Sequence, residues 1–279
     1  MTWTNKENTK AVTKDTALTV AKTLVTQRLN DLAKRDRAYQ RILLYGEPKT
    51  GKSGIAMDCR TEEEIKDTEV WVLDFDNGCE PTWRTNWDSN PSIKILLPIV
   101  RDAEGYPDLT ETILLSEAFV AMANEALEEG KKLKFVFDGA DRWKDICFLA
   151  VSEDKRSTNM KFMPLLWGKR NKVYDDLMDK VLALNCDVYV ITHMQDVYEN
   201  INNPNPTGRI PNLGRNTFAA INQEIEVTKN LLPNKSIFNA KVKASKTNPA
   251  VTGKIYTILT VENGNVDWES ITELQDGTL

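Results

Sequence analysis

The chain has 279 residues, of which 41% are hydrophobic and 28% are charged. This composition is typical of a globular protein that buries a sizeable core. The formal net charge of −5 excludes a global basic field, so any contact with nucleic acid requires a local basic patch.

The four cysteines form no CxxC pair and the chain has one histidine, so the sequence gives no convincing zinc site. Such scattered cysteines favour reduced, mostly buried thiols of an intracellular protein. The first ten residues lack the apolar segment of a signal peptide, and no run approaches the ~18 apolar residues of a membrane span. We therefore expect a soluble, cytoplasmic protein.

A polar segment precedes a pattern of apolar residues at helical spacing from Asp15 to about Arg37. It predicts an N-terminal amphipathic helix, which either packs on the core or binds a partner. We divide the chain into this N-terminal polar segment with its helix, residues 1–38, and a core at residues 39–279.

Strands and helices alternate along the first part of the core. Buried strands are expected at 41–45, 70–75, 93–99, 133–138 and 187–192, and helices after residue 53 and at 114–127 and 165–184. A long polar loop is expected at about 195–217, followed by antiparallel hairpins at 224–232, 236–245, 253–261 and 265–268. The fold class is α/β, with a mostly parallel central sheet flanked by helices and C-terminal antiparallel hairpins.

One segment matches the phosphate-binding pattern GxxxxGK[ST], between a predicted strand and a predicted helix. The glycines let backbone N–H groups point at phosphate oxygens, the lysine places its ammonium on the β- and γ-phosphates, and the serine hydroxyl binds Mg²⁺. The context argues against a chance match and predicts ATP and Mg²⁺ as ligands. The residues are Gly46, Glu47, Pro48, Lys49, Thr50, Gly51, Lys52 and Ser53.

Polar residues end three of the predicted strands, where parallel sheets place their ligands. Asp138 ends an apolar strand and fits an acid that holds a Mg²⁺-bound water, whereas Asp141 is equally a helix cap. Alternation puts Asp74 and Asp76 on one side, to position the attacking water or to cap a solvated turn. His193 is a sensor of the γ-phosphate or a hydrogen-bonded strand-end residue.

Together, these motifs resemble those of the RecA-like P-loop ATPases, and most of all the phage RecA-like recombination and single-strand annealing ATPases. The resemblance covers roughly residues 40–260. It implies that Asp76 takes the place of a catalytic glutamate one methylene longer, that Asp138 is the magnesium acid, and that His193 is the γ-phosphate sensor. A phage-encoded chain would act in the host cytoplasm.

The resemblance also implies a homo-oligomer, a filament or a ring, with the nucleotide between subunits. Lys241, Lys243 and Lys246 match the late strand that inserts cations into a neighbouring site. The alternative for these lysines is a solvated edge strand.

Single-stranded DNA is the partner that the resemblance implies, bound through two loops. The first contains Lys155, Arg156, Lys161, Phe162, Trp167, Lys169, Arg170 and Lys172, and the second contains Arg209 and Arg215. Cations follow phosphates and aromatic rings stack on bases. The alternative is a solvated surface with Trp167 in the core.

The leading interpretation is an ATPase that binds single-stranded DNA in recombination, annealing or replication, and stimulation of its turnover by DNA is the observation that would support it. One alternative is a P-loop kinase for a small molecule or nucleotide, which requires an arginine-bearing lid. Another is a nucleotide-gated assembly protein that hardly turns ATP over, and the chain is too short for a motor with a second motor domain.

Overall fold

The computed structural model describes residues 14–33, 37–151, 164–198 and 205–269. The chain forms two units that divide between Ala38 and Tyr39. The first contains α1 (Lys14–Ala33), which confirms the predicted N-terminal helix. Its packing on the core stays a prediction.

The second unit alternates strands and helices before it ends in strands alone. Its strands are β1 (Arg41–Tyr45), β2 (Thr68–Asp74), β3 (Ile93–Leu96), β4 (Lys132–Asp138), β5 (Val188–Thr192), β6 (Met194–Val197), β7 (Gly208–Pro211), β8 (Gln223–Leu232), β9 (Lys235–Ser245), β10 (Ile255–Glu262) and β11 (Asn265–Trp268). Its helices are α2 (Lys52–Met57), α3 (Cys79–Asn86), α4 (Leu109–Glu128), α5 (Ala140–Val151), α6 (Pro164–Leu182) and α7 (Arg215–Ala220).

Within the described residues, nine strands form one sheet in the order β11-β10-β9-β8-β1-β5-β4-β2-β3. The pairs from β8 to β3 are parallel. The pairs β8–β9, β9–β10 and β10–β11 are antiparallel. The predicted fold class is therefore confirmed: a mostly parallel central sheet carries C-terminal antiparallel hairpins.

The register of the parallel strands brings their carboxyl ends to one edge of the sheet. Asp74 at the end of β2 lies opposite Asp138 at the end of β4. Tyr45 at the end of β1 lies opposite Thr192 at the end of β5. Residues that directly follow these strands are therefore neighbours in space, although they are distant in sequence.

Tight packing supports this edge on both faces of the sheet. On one face, the Phe75 ring lies 5.2 Å from those of Phe137 and Trp143, measured between centroids. On the other, a Cβ atom added to Gly54 of α2 would lie 2.5 Å from Cη2 of Trp268 in β11. The last hairpin thus packs directly against the helix that follows the phosphate-binding motif, and a side chain at position 54 would displace the Trp268 ring.

The predicted long loop at about 195–217 is wrong in its described part. It contains β6 and β7, which pair with each other in a separate two-stranded sheet, and the start of α7. Each of these strands has four residues and neither is buried, so the hydrophobic alternation that reveals a strand in sequence is missing. The third predicted strand is also shorter than expected, since β3 ends at Leu96.

A buried lysine stabilises the opposite edge of the sheet. Lys134 in β4 is 2% exposed, and its Nζ donates a hydrogen bond of 2.7 Å to the carbonyl oxygen of Cys59. The same Nζ lies 2.7 Å from Glu64 Oε2 and 3.7 Å from Asp187 Oδ2. Its neighbour Lys132 pairs with Asp67 on the surface instead, 2.5 Å away.

We expect Lys134→Ala to lower the free energy of unfolding by about 3 kcal/mol, because it removes a buried positive charge from beside two carboxylates. Lys132→Ala is the matched control on the same strand, and it should cost much less because its ion pair with Asp67 is exposed and screened by solvent. Urea unfolding of both variants measures the difference. Equal losses of unfolding free energy in the two variants would show that the burial of Lys134 does not determine how much it stabilises the fold.

Candidate active site

The phosphate-binding motif forms a tight loop between β1 and α2. Gly46 has φ = +152° and Gly51 has φ = +91°, both in the region that favours glycine. A Cβ atom at Gly46 would lie 2.1 Å from the carbonyl oxygen of Val227 in β8. The backbone conformation thus favours glycine at both positions, and the close approach of β8 adds a second reason at Gly46.

Lys52 is held inside this loop by backbone oxygens. It is 5% exposed, and its Nζ donates to the carbonyl oxygens of Gly46, at 3.2 Å, and Glu47, at 2.7 Å. Burial lowers the pKa of Lys52, while nearby carboxylates oppose that shift. Its ammonium has no carboxylate within ion-pair distance in the part of the chain that the structure describes, so it suits an anionic ligand.

Ser53 and Asp138, the residues expected to hold Mg²⁺, lie together. Ser53 Oγ donates to Asp138 Oδ2 at 2.6 Å, and Cys79 Sγ donates to the same oxygen at 3.0 Å. Burial raises the pKa of Asp138 to about 6, and Asp74 contributes to the shift. A hydroxyl beside a carboxylate is a set of hard oxygen ligands that fits Mg²⁺.

Asp74 caps the turn that follows β2, as one interpretation of the sequence proposed. Its buried carboxylate accepts backbone hydrogen bonds from Asp76 at 3.0 Å, Gly78 at 3.3 Å and Cys79 at 2.9 Å. Burial raises its pKa despite these bonds. The expectation that Asp74 and Asp76 share one side is wrong, because β2 ends at Asp74 and strand alternation does not continue beyond it.

Asp76 instead belongs to a second polar cluster, with Asp141 and His193. His193 Nδ1 lies 3.0 Å from Asp141 Oδ2 and 3.7 Å from Asp76 Oδ2. Gly139, with φ = +86°, permits this arrangement, because a Cβ atom there would lie 2.9 Å from Asp76 Cγ. His193 is thus both a hydrogen-bonded strand-end residue and a neighbour of the expected catalytic acid.

The three groups of this cluster shift one another's pKa. Burial raises the pKa of Asp76, and the charge of Asp141 raises it further. Burial also acts to raise the pKa of Asp141, but the hydrogen bond from His193 lowers it below its usual value. The bond to Asp141 raises the pKa of His193 against the effect of burial.

A comparison with protein families identifies the domain. The family model AAA_24, described as an AAA domain, matches residues 38–255, well over half of the chain. The chain belongs to this AAA-domain family. No curated protein matches it.

The AAA domain is also similar to solved structures. The crystal structure of the RadB recombinase matches with a TM-score of 0.47 and 10% identity, over 86% of this chain and 96% of that one. The crystal structure of the KaiC-like protein PH0186 from Pyrococcus horikoshii OT3 matches with a TM-score of 0.45 and 13% identity, over 82% and 89% of the two chains. No helix in the described part of the AAA domain is long and apolar enough to cross a membrane.

The sequence does not predict the contacts of two residues of this site in the AAA domain. It offers Asp141 as a helix cap, and the signal for a role in the site is its position three residues after Asp138 at a helix start. It places Arg209 in a loop expected to bind DNA, and the structure shows its Nη1 in an ion pair with Glu47 of the phosphate-binding loop. These two residues are 162 positions apart, and no local pattern reveals such a contact.

The late lysine strand lies inside the sheet of the AAA domain. Since β9 pairs with both β8 and β10, the alternative of a solvated edge strand is wrong. Lys243 Nζ lies 3.1 Å from Glu226 Oε2, and Lys241 lies opposite Glu226 in the register. Lys246 Nζ donates to the carbonyl oxygen of Ala219 at 3.1 Å. The action of Lys241 and Lys243 on a neighbouring subunit stays a prediction.

The first expected DNA-binding region is described only from α6 onward. Trp167 is 45% exposed and the Arg170 guanidinium carbon lies 4.8 Å from its ring centroid, so the alternative that places Trp167 in the core is wrong. The buried face of α6 carries Tyr174 instead. In the second region, Arg215 begins α7. The expected contacts that lie outside the described residues are Lys155, Arg156, Lys161 and Phe162.

We expect the pKa of His193 to exceed 6.5 and to fall in Asp141→Asn, because the neutral amide no longer stabilises the imidazolium. The stability that the raised pKa of His193 contributes is therefore complete below about pH 6.5 and is lost as pH rises through the folded-state pKa of His193, while Asp141 remains ionised. His193 is the one histidine of the chain, so NMR titration of its ring protons measures this directly.

Asp145→Asn, one turn further along α5, is the control and should leave the titration of His193 nearly unchanged. A wild-type pKa at or below 6.5, or one that Asp141→Asn does not change, would contradict the assignment.

Proposed function

We propose that this AAA domain binds ATP with Mg²⁺ and hydrolyses it. One observation supports the proposal most strongly. A phosphate-binding loop, a hydroxyl–carboxylate pair and an acid–histidine cluster meet at the same edge of the sheet. Phosphoryl transfer requires these three functions: holding the phosphates, neutralising their charge and orienting the attacking group.

The loop and Lys52 bind the phosphates. Backbone N–H groups of the loop would bind the phosphate oxygens. Lys52 adds a positive charge, whose attraction to the phosphates is stronger at a buried site than in water. Ser53 and Asp138 would hold Mg²⁺, which neutralises charge on the phosphate oxygens when bound.

Asp76 orients the attacking water and accepts its proton as the bond to the γ-phosphorus forms and the bond to ADP breaks. A raised pKa suits it to this role, because a stronger base accepts the proton more readily. His193 is fixed by Asp141 and is available to donate a hydrogen bond to a phosphate oxygen. Gly139 lets the short aspartate side chain lie close to this pair.

ATP turnover tests these roles. Lys52→Ala should abolish it, because Lys49, the other cation of the loop, is exposed and does not replace the buried ammonium of Lys52. Asp76→Asn should leave ATP binding near normal and slow hydrolysis by more than about tenfold, which corresponds to a barrier about 1.4 kcal/mol higher. Asp67→Asn, an exposed acid at the other edge of the sheet, is the control and should behave as wild type.

Wild-type turnover by Lys52→Ala would contradict the phosphate site. Binding without turnover in the wild type would favour the non-catalytic assembly protein. One observation favours the kinase alternative, since β7 carries Arg209 to the loop as a lid would. Phosphate transfer to a small acceptor in place of water would establish that alternative.

The finer proposal is that this ATPase binds single-stranded DNA in recombination, annealing or replication of the phage type. The exposed Trp167 stacked with Arg170 supports it, because an indole beside a cation can stack on a base and contact its phosphate. We further propose a homo-oligomer in which Lys241 and Lys243 reach the nucleotide of a neighbouring subunit.

Two variants separate the contributions of the aromatic ring and the cations on α6. Trp167→Ala should weaken DNA binding by roughly 1–3 kcal/mol without changing the salt slope. Replacing Lys169, Arg170 and Lys172 with alanine should flatten the log–log salt slope by up to about 2, since each lost phosphate contact contributes about 0.7. Titrations of labelled single strands at several salt concentrations measure both effects.

Thermal melting is the control, and Trp167→Ala should melt close to wild type because the indole is half exposed. An unchanged salt slope in the triple variant, with ATP binding intact, would contradict DNA binding on this face.

A further inference from the structure

The β6–β7 hairpin places an arginine directly on the phosphate-binding loop. Arg209 in β7 forms an ion pair with Glu47, and its Nε lies 3.0 Å from Oδ1 of Asp196 in the paired strand β6. The side chains of Arg209 and Glu47 are 44% and 52% exposed. This exposure makes their ion pair weak and easily exchanged for a stronger one.

Both ends of this hairpin are attached to the end of β5. Met194, the first residue of β6, directly follows His193. After β7, the backbone N–H of Asn212 donates to the His193 carbonyl oxygen at 2.9 Å, and Thr192 Oγ1 donates to the Asn212 carbonyl oxygen at 2.8 Å. The hairpin therefore carries Arg209 on the same support that positions His193.

The charges around the loop are mostly negative. Asp76, Asp138 and Asp141 all contribute to the electrostatic environment of Lys52. Glu47 adds a further carboxylate within the loop itself. A nucleoside triphosphate adds more negative charge, so a further cation beside Lys52 would strengthen its binding. A guanidinium suits this position, because its planar set of N–H groups binds two phosphate oxygens at once.

We propose that Arg209 exchanges Glu47 for the terminal phosphate of ATP bound to the same chain. The inference rests on the proposed ATP site. Arg209 and Glu47 pair when no terminal phosphate is present, and Glu47 therefore competes with the nucleotide for the guanidinium. ADP has no γ-phosphate and leaves the Arg209–Glu47 pair intact. The hairpin thereby distinguishes the two nucleotides.

Equilibrium binding of two nucleotides tests this exchange. We would titrate each variant, with Mg²⁺, with ADP and with an ATP analogue whose β–γ bridge resists hydrolysis. Arg209→Ala should weaken binding of the analogue by about tenfold or more, as expected for a lost hydrogen bond to a charged group. It should change the affinity for ADP by less than about twofold. Arg209→Lys should recover part of the loss, since it keeps the charge without the paired donors.

Glu47→Gln provides the sharpest test because the expected change has the opposite sign. It removes the competing carboxylate, so the analogue should bind more tightly while ADP is unchanged. Arg101→Ala, which removes an exposed arginine from the loop before α4, is the control for net charge and should leave both affinities as in the wild type. Melting curves identify any variant that fails to fold.

Equal weakening of both nucleotides by Arg209→Ala, or no weakening, would overturn the proposal. An equal loss of affinity for the analogue in Glu47→Gln and in Arg209→Ala would also overturn it. The ion pair would then act only by stabilising the conformation of the loop. In these outcomes the wild type still binds nucleotide and the proposed function is retained. Wild-type protein that binds neither nucleotide would overturn both.

Discussion

The buried carboxylate of Asp138 is the interaction on which the rest of the site depends. Its Oδ2 accepts hydrogen bonds from Ser53 at the start of α2 and from Cys79 at the start of α3. A single oxygen thus joins the phosphate-binding helix, the turn after β2 and the end of β4. A buried carboxylate without such donors is costly, so removing either partner disturbs all three elements.

Three of the carboxylates that lie close together at this edge of the sheet are harder to ionise than free carboxylates. Burial raises the pKa of Asp74, Asp76 and Asp138 together, while the positive charge of Lys52 lies among them. The opposite edge is arranged differently, with the buried cation Lys134 between acids that neutralise it. The sheet therefore has one edge whose charges are internally paired for stability and another whose charges are suited to a ligand.

The parts of the site that sequence predicts are those encoded by neighbouring residues. The loop at Gly46–Ser53 and the acid Asp138 follow from a local motif and an apolar strand. The contact between His193 and Asp141 spans 52 residues, and that between Arg209 and Glu47 spans 162, so both depend on the order of strands in the sheet. The sequence also does not predict that Trp167 is exposed. The spacing of apolar residues indicates a helix, but it does not tell which other elements cover the side of the helix that carries Trp167.

The contact between Gly54 and Trp268 has a consequence for the synthesis of this chain. The ribosome produces the phosphate-binding loop early, but β8, which Gly46 approaches closely, and the indole that covers α2 are made much later. The strand β1 also has no complete pair of neighbours until β5 and β8 have been translated. In a nascent chain, the phosphate-binding loop therefore lacks its contacts with β8 and Trp268 for most of translation. The surroundings of the loop are complete only when the final hairpin has been made.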